Sequence, residues 1–274
     1  MPPWSELALM LVFLLVIGGF AGVIAGMLGV GGGIVLVPAF FYAFGYLGYD
    51  SPQLMQICLA TSLATIIFTS IRSVLAHHKK RAVDWQILRS WAPGIVIGAF
   101  AGVLVATGLK TAVLQGIFGV LGIGIGLYLG FGRAGWHLAS AMPGPVGRAV
   151  LSPVLGFLSV LMGIGGGSFG VPLMSLCRVP IHRAVATASG FGVLIAVPSV
   201  ALFLFAPVAA GGRPPLTIGA VNLVALVVIL AVSLQTTTYG VKLAHSMNPA
   251  PLKRFFGAFL TLVALNMLRK AAGW

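Results

Sequence analysis

Apolar runs separated by short polar or Gly/Pro punctuation extend along the whole chain. About 20 helical residues cross a ~30 Å hydrocarbon core. On that measure the pattern predicts eight long membrane helices, near 7–28, 53–76, 90–109, 112–131, 149–163, 184–207, 216–240 and 252–268. Two shorter apolar pieces, about 34–47 and 168–177, each follow a glycine cluster and read as half-helices or re-entrant segments. Trp4, Trp85, Trp91, Trp136 and Trp274 fall at or just outside segment ends, where an indole N–H can stay wet. The first stretch lacks a basic leader and is followed by more apolar sequence, so it reads as a membrane helix, not a cleaved signal.

The punctuation repeats. Gly29-Val-Gly-Gly-Gly33-Ile-Val-Leu-Val-Pro38 matches Gly163-Ile-Gly-Gly-Gly167-Ser-Phe-Gly-Val-Pro172, and downstream Ala60-Thr61 matches Ala186-Thr187, Val83-Asp84 matches Val221-Asn222, and Leu114–Gly119 matches Leu252–Gly257. A chance glycine cluster would not bring its neighbours along in order. The expected fold is an all-α integral membrane protein of two repeats, residues 1–134 and 146–274, joined by a Gly/Pro-containing linker at 135–145. If each glycine break reverses the chain, each half has five segments and the second half inserts upside down. With the N-terminus outside, that arrangement leaves only Lys110, Arg213, Arg269 and Lys270 of the 16 Lys and Arg on the outer side, which favours inverted repeats.

Composition narrows the chemistry. The chain is 59% hydrophobic and 7% charged, and its mean hydropathy is +1.10, values that belong in a bilayer. The net charge of +13 reads as membrane orientation with some attraction for an anionic solute, and nucleic acid is not an expected partner. Only Glu6, Asp50 and Asp84 are acidic. They are too few and too scattered for paired-carboxylate hydrolysis, a carboxylate metal centre or a buried Asp/Glu proton relay, so any ion coupling would need carbonyls, hydroxyls or histidines. Cys58 and Cys177 show neither zinc nor redox spacing, and no metal or cofactor is expected.

Candidate site residues follow from the breaks. Three consecutive glycines admit left-handed backbone and close approach, and each cluster precedes a short helix whose first-turn amides lack an intrahelical partner. Gly31, Gly32, Gly33 and Ile34 in one half and Gly165, Gly166, Gly167 and Ser168 in the other could therefore hold an anion on two helix starts. Thr61, Thr65 and Thr69 share one helical face beside Ser62, Arg72 and Ser73, with Thr187 and Ser189 as counterparts. Hydroxyls also bond back to their own helix, and Arg72 either binds the anion or snorkels to the surface. Asn222 and the run Gln235–Tyr239 are second-tier lining candidates. Gly18, Gly22 and Gly26, like Gly94, Gly98 and Gly102, read as close-packing faces, and the five histidines as interfacial.

GxxAGMLGVGGGIVLVP, repeated as GFLSVLMGIGGGSFGVP, with an Ala-Thr-containing helix after each, resembles the TauE/SafE sulfite and organosulfonate exporter family over the whole chain. That resemblance implies a transporter, not an enzyme, in the bacterial inner membrane, exporting sulfite, sulfoacetate or related sulfonates. Its implied site is the two glycine triplets with Thr61, Ser62 and Thr187. Ala188 stands opposite Ser62, so the halves are not expected to contribute equally. The expected partners are that anion, the lipid bilayer and a second copy of the chain as a homodimer. An anion-conducting pore uses the same half-helices and is the alternative. A membrane enzyme would need a motif such as HExxH or a Cys/His cluster, which is absent from the sequence.

Overall fold

The computed structural model describes residues 4–29, 32–132, 138–209, 211–246 and 250–273. These form ten α-helices: α1 (Trp4–Leu28), α2 (Gly33–Tyr46), α3 (Leu54–Lys79), α4 (Trp85–Gly108), α5 (Thr111–Phe131), α6 (Pro145–Leu161), α7 (Gly167–Leu176), α8 (Ile181–Phe203), α9 (Leu223–Ser246) and α10 (Ala250–Ala271). An antiparallel hairpin, β1 (Thr217–Ile218) with β2 (Val221–Asn222), precedes α9. Among the described residues, α3, α4, α5, α8 and α9 are long and apolar enough to cross a membrane, and α2, α6 and α7 are shorter apolar helices. At 14 and 10 residues, α2 and α7 reach only about 21 and 15 Å, so neither crosses alone.

Two helix starts differ from the apolar pattern, and side-chain caps explain both. α4 begins at Trp85 instead of near 90 because the Asp84 carboxylate accepts the N–H groups of Gln86 and Ile87, each at 3.1 Å. Trp91 is thereby carried inside the helix and is buried against Phe191, with ring centroids 6.3 Å apart, so it is not an interfacial anchor. α9 begins at Leu223 instead of 216 because the hairpin occupies the intervening residues and Asn222 Oδ1 accepts the Ala225 N–H at 2.9 Å. The two capping residues are the Asp84 and Asn222 of the repeat. Trp136 and Trp274 lie outside the described residues.

Glycines set the helix contacts and their directions. Gly18, Gly22 and Gly26 of α1 meet Ile229, Ser233 and Thr237 of α9, so the positions ascend together and the helices run parallel. Gly94, Gly98 and Gly102 of α4 likewise climb Ser152, Pro153 and Val160 of α6. Gly119, Gly122 and Gly126 of α5 meet Leu268, Ala264 and Gly257 of α10, in descending order, so this pair is antiparallel. α3 and α8 are antiparallel as well: Gln53, just before α3, accepts the N–H of Ala209 beyond α8, while Asp84, beyond α3, bonds Thr187 near the start of α8. α3 runs parallel to α9, through Thr61 with Asn222, Arg72 with Thr238 and His77 with His245. Lipid offers these helices no hydrophobic drive toward one another, so van der Waals contact at such small residues carries the association.

Gly98→Leu should lower the thermal unfolding midpoint in detergent, because its side chain would be driven into the Pro153 backbone, an overpacking cost of about 1–3 kcal/mol or more. Gly124→Ala, on an open face of α5 with no neighbouring atom in reach, should leave the midpoint unchanged or raise it by the equivalent of up to about 1 kcal/mol. Equal midpoints for the two variants would contradict this account of α4–α6 packing.

Candidate functional site

The two glycine clusters end one helix in nearly the same way and start the next differently, Gly32 before α2 being left-handed (φ 80°) and Gly166 before α7 right-handed (φ −62°). Gly29 follows α1 with φ 65°, its N–H bonded to Ala25 O at 3.1 Å. Gly163 follows α6 with φ 61°, its N–H bonded to Val160 O at 2.9 Å, and Ile164 N–H reaches back to Ser159 O at 2.9 Å. A left-handed residue closing a helix is the position glycine fills without strain. Close packing adds a second requirement: a methyl group at Gly29 would strike the Val185 carbonyl, and one at Gly163 would sit 2.9 Å from the Leu59 α-carbon.

The breaks meet at mid-height of the bundle. A methyl group at Gly33, the first residue of α2, would collide with the Gly163 carbonyl and lie 2.8 Å from the Ile164 α-carbon and 3.0 Å from the side chain of Ile66, midway along α3. Gly166 packs against Phe191, midway along α8. Ser62 on α3 donates to the Gly163 carbonyl at 2.7 Å and so ties the second break to the first half. Ile34 and Ser168, next after the first residues of α2 and α7, are buried. Neither Gly32 nor Gly166 supplies a side-chain cap, so both helix starts present first-turn amides and the positive end of a helix dipole. Ser168 Oγ is fully enclosed and has no hydrogen-bond partner, a state it shares with the hydroxyls of Ser70, Ser73, Ser159, Ser175 and Ser233; what sets it apart is its place in the first turn of α7, beside the second break. Pro38 and Pro172 occupy the sixth position of α2 and α7 and leave the Ile34 and Ser168 carbonyls without their i+4 donors.

The remaining sequence candidates divide by what they bond. Thr61 Oγ1 accepts the Asn222 N–H at 2.9 Å and Thr187 Oγ1 accepts the Asp84 N–H at 2.9 Å, a mirrored pair that fixes the starts of α9 and α4. Thr65 donates to Thr61 O at 3.1 Å and Ser189 to Ala186 O at 2.6 Å, each within its own helix. Arg72 is exposed, away from the breaks; its Nε donates to Thr238 Oγ1 at 3.2 Å, and it lines a groove of about 480 Å³ between α3 and α9 with Leu230, Leu234 and Gln235. Asn222 is a helix cap, not a lining residue. Gly31 lies outside the described residues. The structure thus brings together Gly32, Gly33, Ile34, Ser62 and Gly165–Ser168, and turns Thr61 and Thr187 to holding helix starts. The sequence reading missed the Gly163 carbonyl as a bonded element and Ile66 and Phe191 as the walls, since nothing in an apolar run marks which Ile or Phe faces a glycine.

Residues 14–267 match the family model described as Sulfite exporter TauE/SafE. A probable membrane transporter protein of Haemophilus influenzae is 29% identical over 256 residues, covering 93% of this chain and 97% of the relative. One from Methanocaldococcus jannaschii is 25% identical over 96% of this chain and 97% of its own length. Another, from Bacillus subtilis, is 35% identical over 198 residues, 64% of this chain and 71% of the relative. No solved structure matches the chain. The family and these relatives are described as transporters, not enzymes.

Thr61→Val and Thr187→Val each remove a hydroxyl acceptor from a helix-start N–H while keeping the side-chain volume. Each should therefore destabilise the protein by about 1–3 kcal/mol, the penalty of an unsatisfied buried donor. The two sites lie toward opposite ends of the antiparallel α3–α8 pair, so the losses should add in the double variant. Chemical denaturation in detergent micelles checks this; a loss confined to one of the two variants would remove the mirrored role.

Proposed function

We propose that this chain, which belongs to the sulfite exporter TauE/SafE family, exports sulfite, sulfoacetate or related small sulfonates by alternating access, with the anion held between the starts of α2 and α7. At the coarser level the chain is a multi-pass membrane transporter of that family. One arrangement carries the finer reading: α2 and α7 both begin uncapped at mid-height, the start of α2 lies against the Gly163–Ile164 break that leads into α7, and Ser168 in the first turn of α7 has a partnerless hydroxyl. Each start carries the positive end of a helix dipole in a low-dielectric interior, where a negative guest is favoured. A sulfonate or sulfite oxygen accepts from backbone N–H groups and from Ser168, and would compete with the Gly163 carbonyl for the Ser62 hydroxyl. With so few carboxylates in the chain, little opposes a negative guest.

Inverted repeats supply the motion in this reading. Exchanging α1–α5 for α6–α10 turns the α1–α9 pair into α6–α4, both parallel, and returns the antiparallel pairs α3–α8 and α5–α10 to themselves. Equivalent helices that run antiparallel are what an axis in the membrane plane requires. Lys79, Lys80, Arg81, Arg178 and Arg183 cluster where α3 and α7 end and α8 begins, which supports that end as cytoplasmic and the N-terminus as periplasmic in a bacterial inner membrane. The tight contact of Gly33 with Gly163 favours a carrier over a standing pore, because in this conformation the two breaks close on each other. An interior-negative potential drives a monoanion outward by about 2.3 kcal/mol per 100 mV.

A thermal-shift panel of sulfite, sulfoacetate, taurine, sulfolactate and sulfate on the purified protein should show stabilisation by at least one small sulfur anion, as expected when a ligand binds only the folded state. Ser168→Ala should leave the unliganded midpoint nearly unchanged, since its hydroxyl has no partner to lose, and should weaken binding of that anion about tenfold, or about 1.4 kcal/mol. Undiminished protection in the variant would contradict the site assignment.

A further inference from the structure

α1, α3 and α9 finish, and α8 begins, at one end of the bundle, and three histidines from three helices gather there. His77, in the last turn of α3, is 1% exposed, in contrast to the interfacial placement its position suggests. Its Nδ1 lies 3.1 Å from Nε2 of His245 in the last turn of α9, and its Nε2 lies 3.2 Å from the carbonyl oxygen of Gly26 in α1. His182, in the first turn of α8, stacks on His245 with centroids 5.6 Å apart. Among the described residues no three metal-ligating side chains form a common site, so the ligand this cluster suits is the proton.

The bonding fixes the protons. A carbonyl only accepts, so His77 Nε2 donates to Gly26. A neutral His77 then has a bare Nδ1, which accepts the Nε2–H of His245. One added proton goes to the free Nδ1 of His245, and the bridge survives as a stronger, charge-assisted bond. A second must go to His77 Nδ1, which sets two N–H groups against each other at 3.1 Å and breaks the bridge. Burial is the first thing to oppose that second proton, and the positive charge of Lys80 adds to it. His182 stacks on His245, and Lys242 on α9 sits over the Tyr239 ring at 5.6 Å. Arg183, next to His182, is paired with Asp84 at 3.0 Å, and His78 faces away, accepting the Trp85 indole N–H at 3.2 Å.

We infer that the His77–His245 bridge is the proton-coupling site of the transporter: it ties the end of α3 to the end of α9 while at most one proton is added, and parts them when a second arrives. His77 keeps its bond to Gly26, three residues before the left-handed Gly29 that opens the first glycine break, and Gly26 also packs on α9, so moving α9 away from α3 acts on the segment that leads into the anion site. This deepens the transport reading and rests on it. Three carboxylates in the whole chain, one of them engaged by Arg183, leave imidazole as the side chain suited to carry a proton near neutral pH.

Two measurements test it. Histidine-selective ¹⁵N NMR of the protein in lipid nanodiscs should show His77 protonated at Nε2 with Nδ1 accepting, and should show His245 taking the first proton and His77 the second in two coupled steps between about pH 8 and pH 4. In proteoliposomes, flux of isethionate, a sulfonate with no group titrating in that range, should change at least about tenfold across the same interval in the native protein and less than about twofold in His77→Gln and His245→Gln. Independent titration of the two rings, or an unchanged pH profile in both variants, would overturn the inference. If a variant fails to fold, the NMR titration of the native protein decides. Absence of isethionate flux and of anion-induced stabilisation in the native protein would instead overturn the transport reading, while the coupled titration would still establish the proton site.

Discussion

A backbone N–H or C=O inside a bilayer has no water to bond, so every departure from helix must find its partner within the protein. The structure answers that constraint at each irregular point. The Gly163 carbonyl, exposed where α6 stops, takes the Ser62 hydroxyl. The N–H groups of Asp84 and Asn222, at the starts of α4 and α9, take the hydroxyls of Thr187 and Thr61. The hairpin before α9 pairs its own strands. The starts of α2 and α7 have no side-chain cap, and Ser168 beside the second break is one of several buried hydroxyls without a partner among the described residues.

The same constraint explains the glycine content. The described helices that pair most intimately, α1 with α9, α4 with α6 and α5 with α10, do so through positions where even one methyl group would strike a neighbouring backbone or side chain. Backbones this close gain dispersion contacts that lipid would otherwise supply equally well to separated helices. Such pairs behave as stiff units. At the breaks three left-handed glycines, Gly29, Gly32 and Gly163, and two prolines interrupt the hydrogen-bond ladder within a few residues.

The histidine cluster shows how a polar group can gain a role from position alone. His77 ends the stripe Thr61, Thr65, Thr69, Ser73 and His77, spaced every fourth residue and buried along its whole length. In sequence it is one of a pair of histidines at a helix end, a common interfacial pattern. In the fold its neighbour His78 takes that interfacial role beside Trp85, while His77 turns inward to α1 and α9. One residue of helical rotation separates the two outcomes.

The order of apolar runs, the two glycine clusters and the matched Thr, Asp and Asn positions determined from sequence alone that this is a helical membrane protein with two short broken helices, because hydrocarbon admits few other backbones and glycine and proline carry their conformational meaning locally. Helix starts were misplaced at α4 and α9, where a capping side chain or hairpin overrode hydropathy. What only the tertiary structure decided was orientation around each helix axis. It sent Arg72 outward and His77 inward, put Ser62 on the Gly163 carbonyl, and gave Thr61 and Thr187 to helix starts in place of the cavity. Those choices depend on which faces meet across some hundred residues of chain, and a pattern of near-uniform apolar runs does not encode which side of a helix will find a partner.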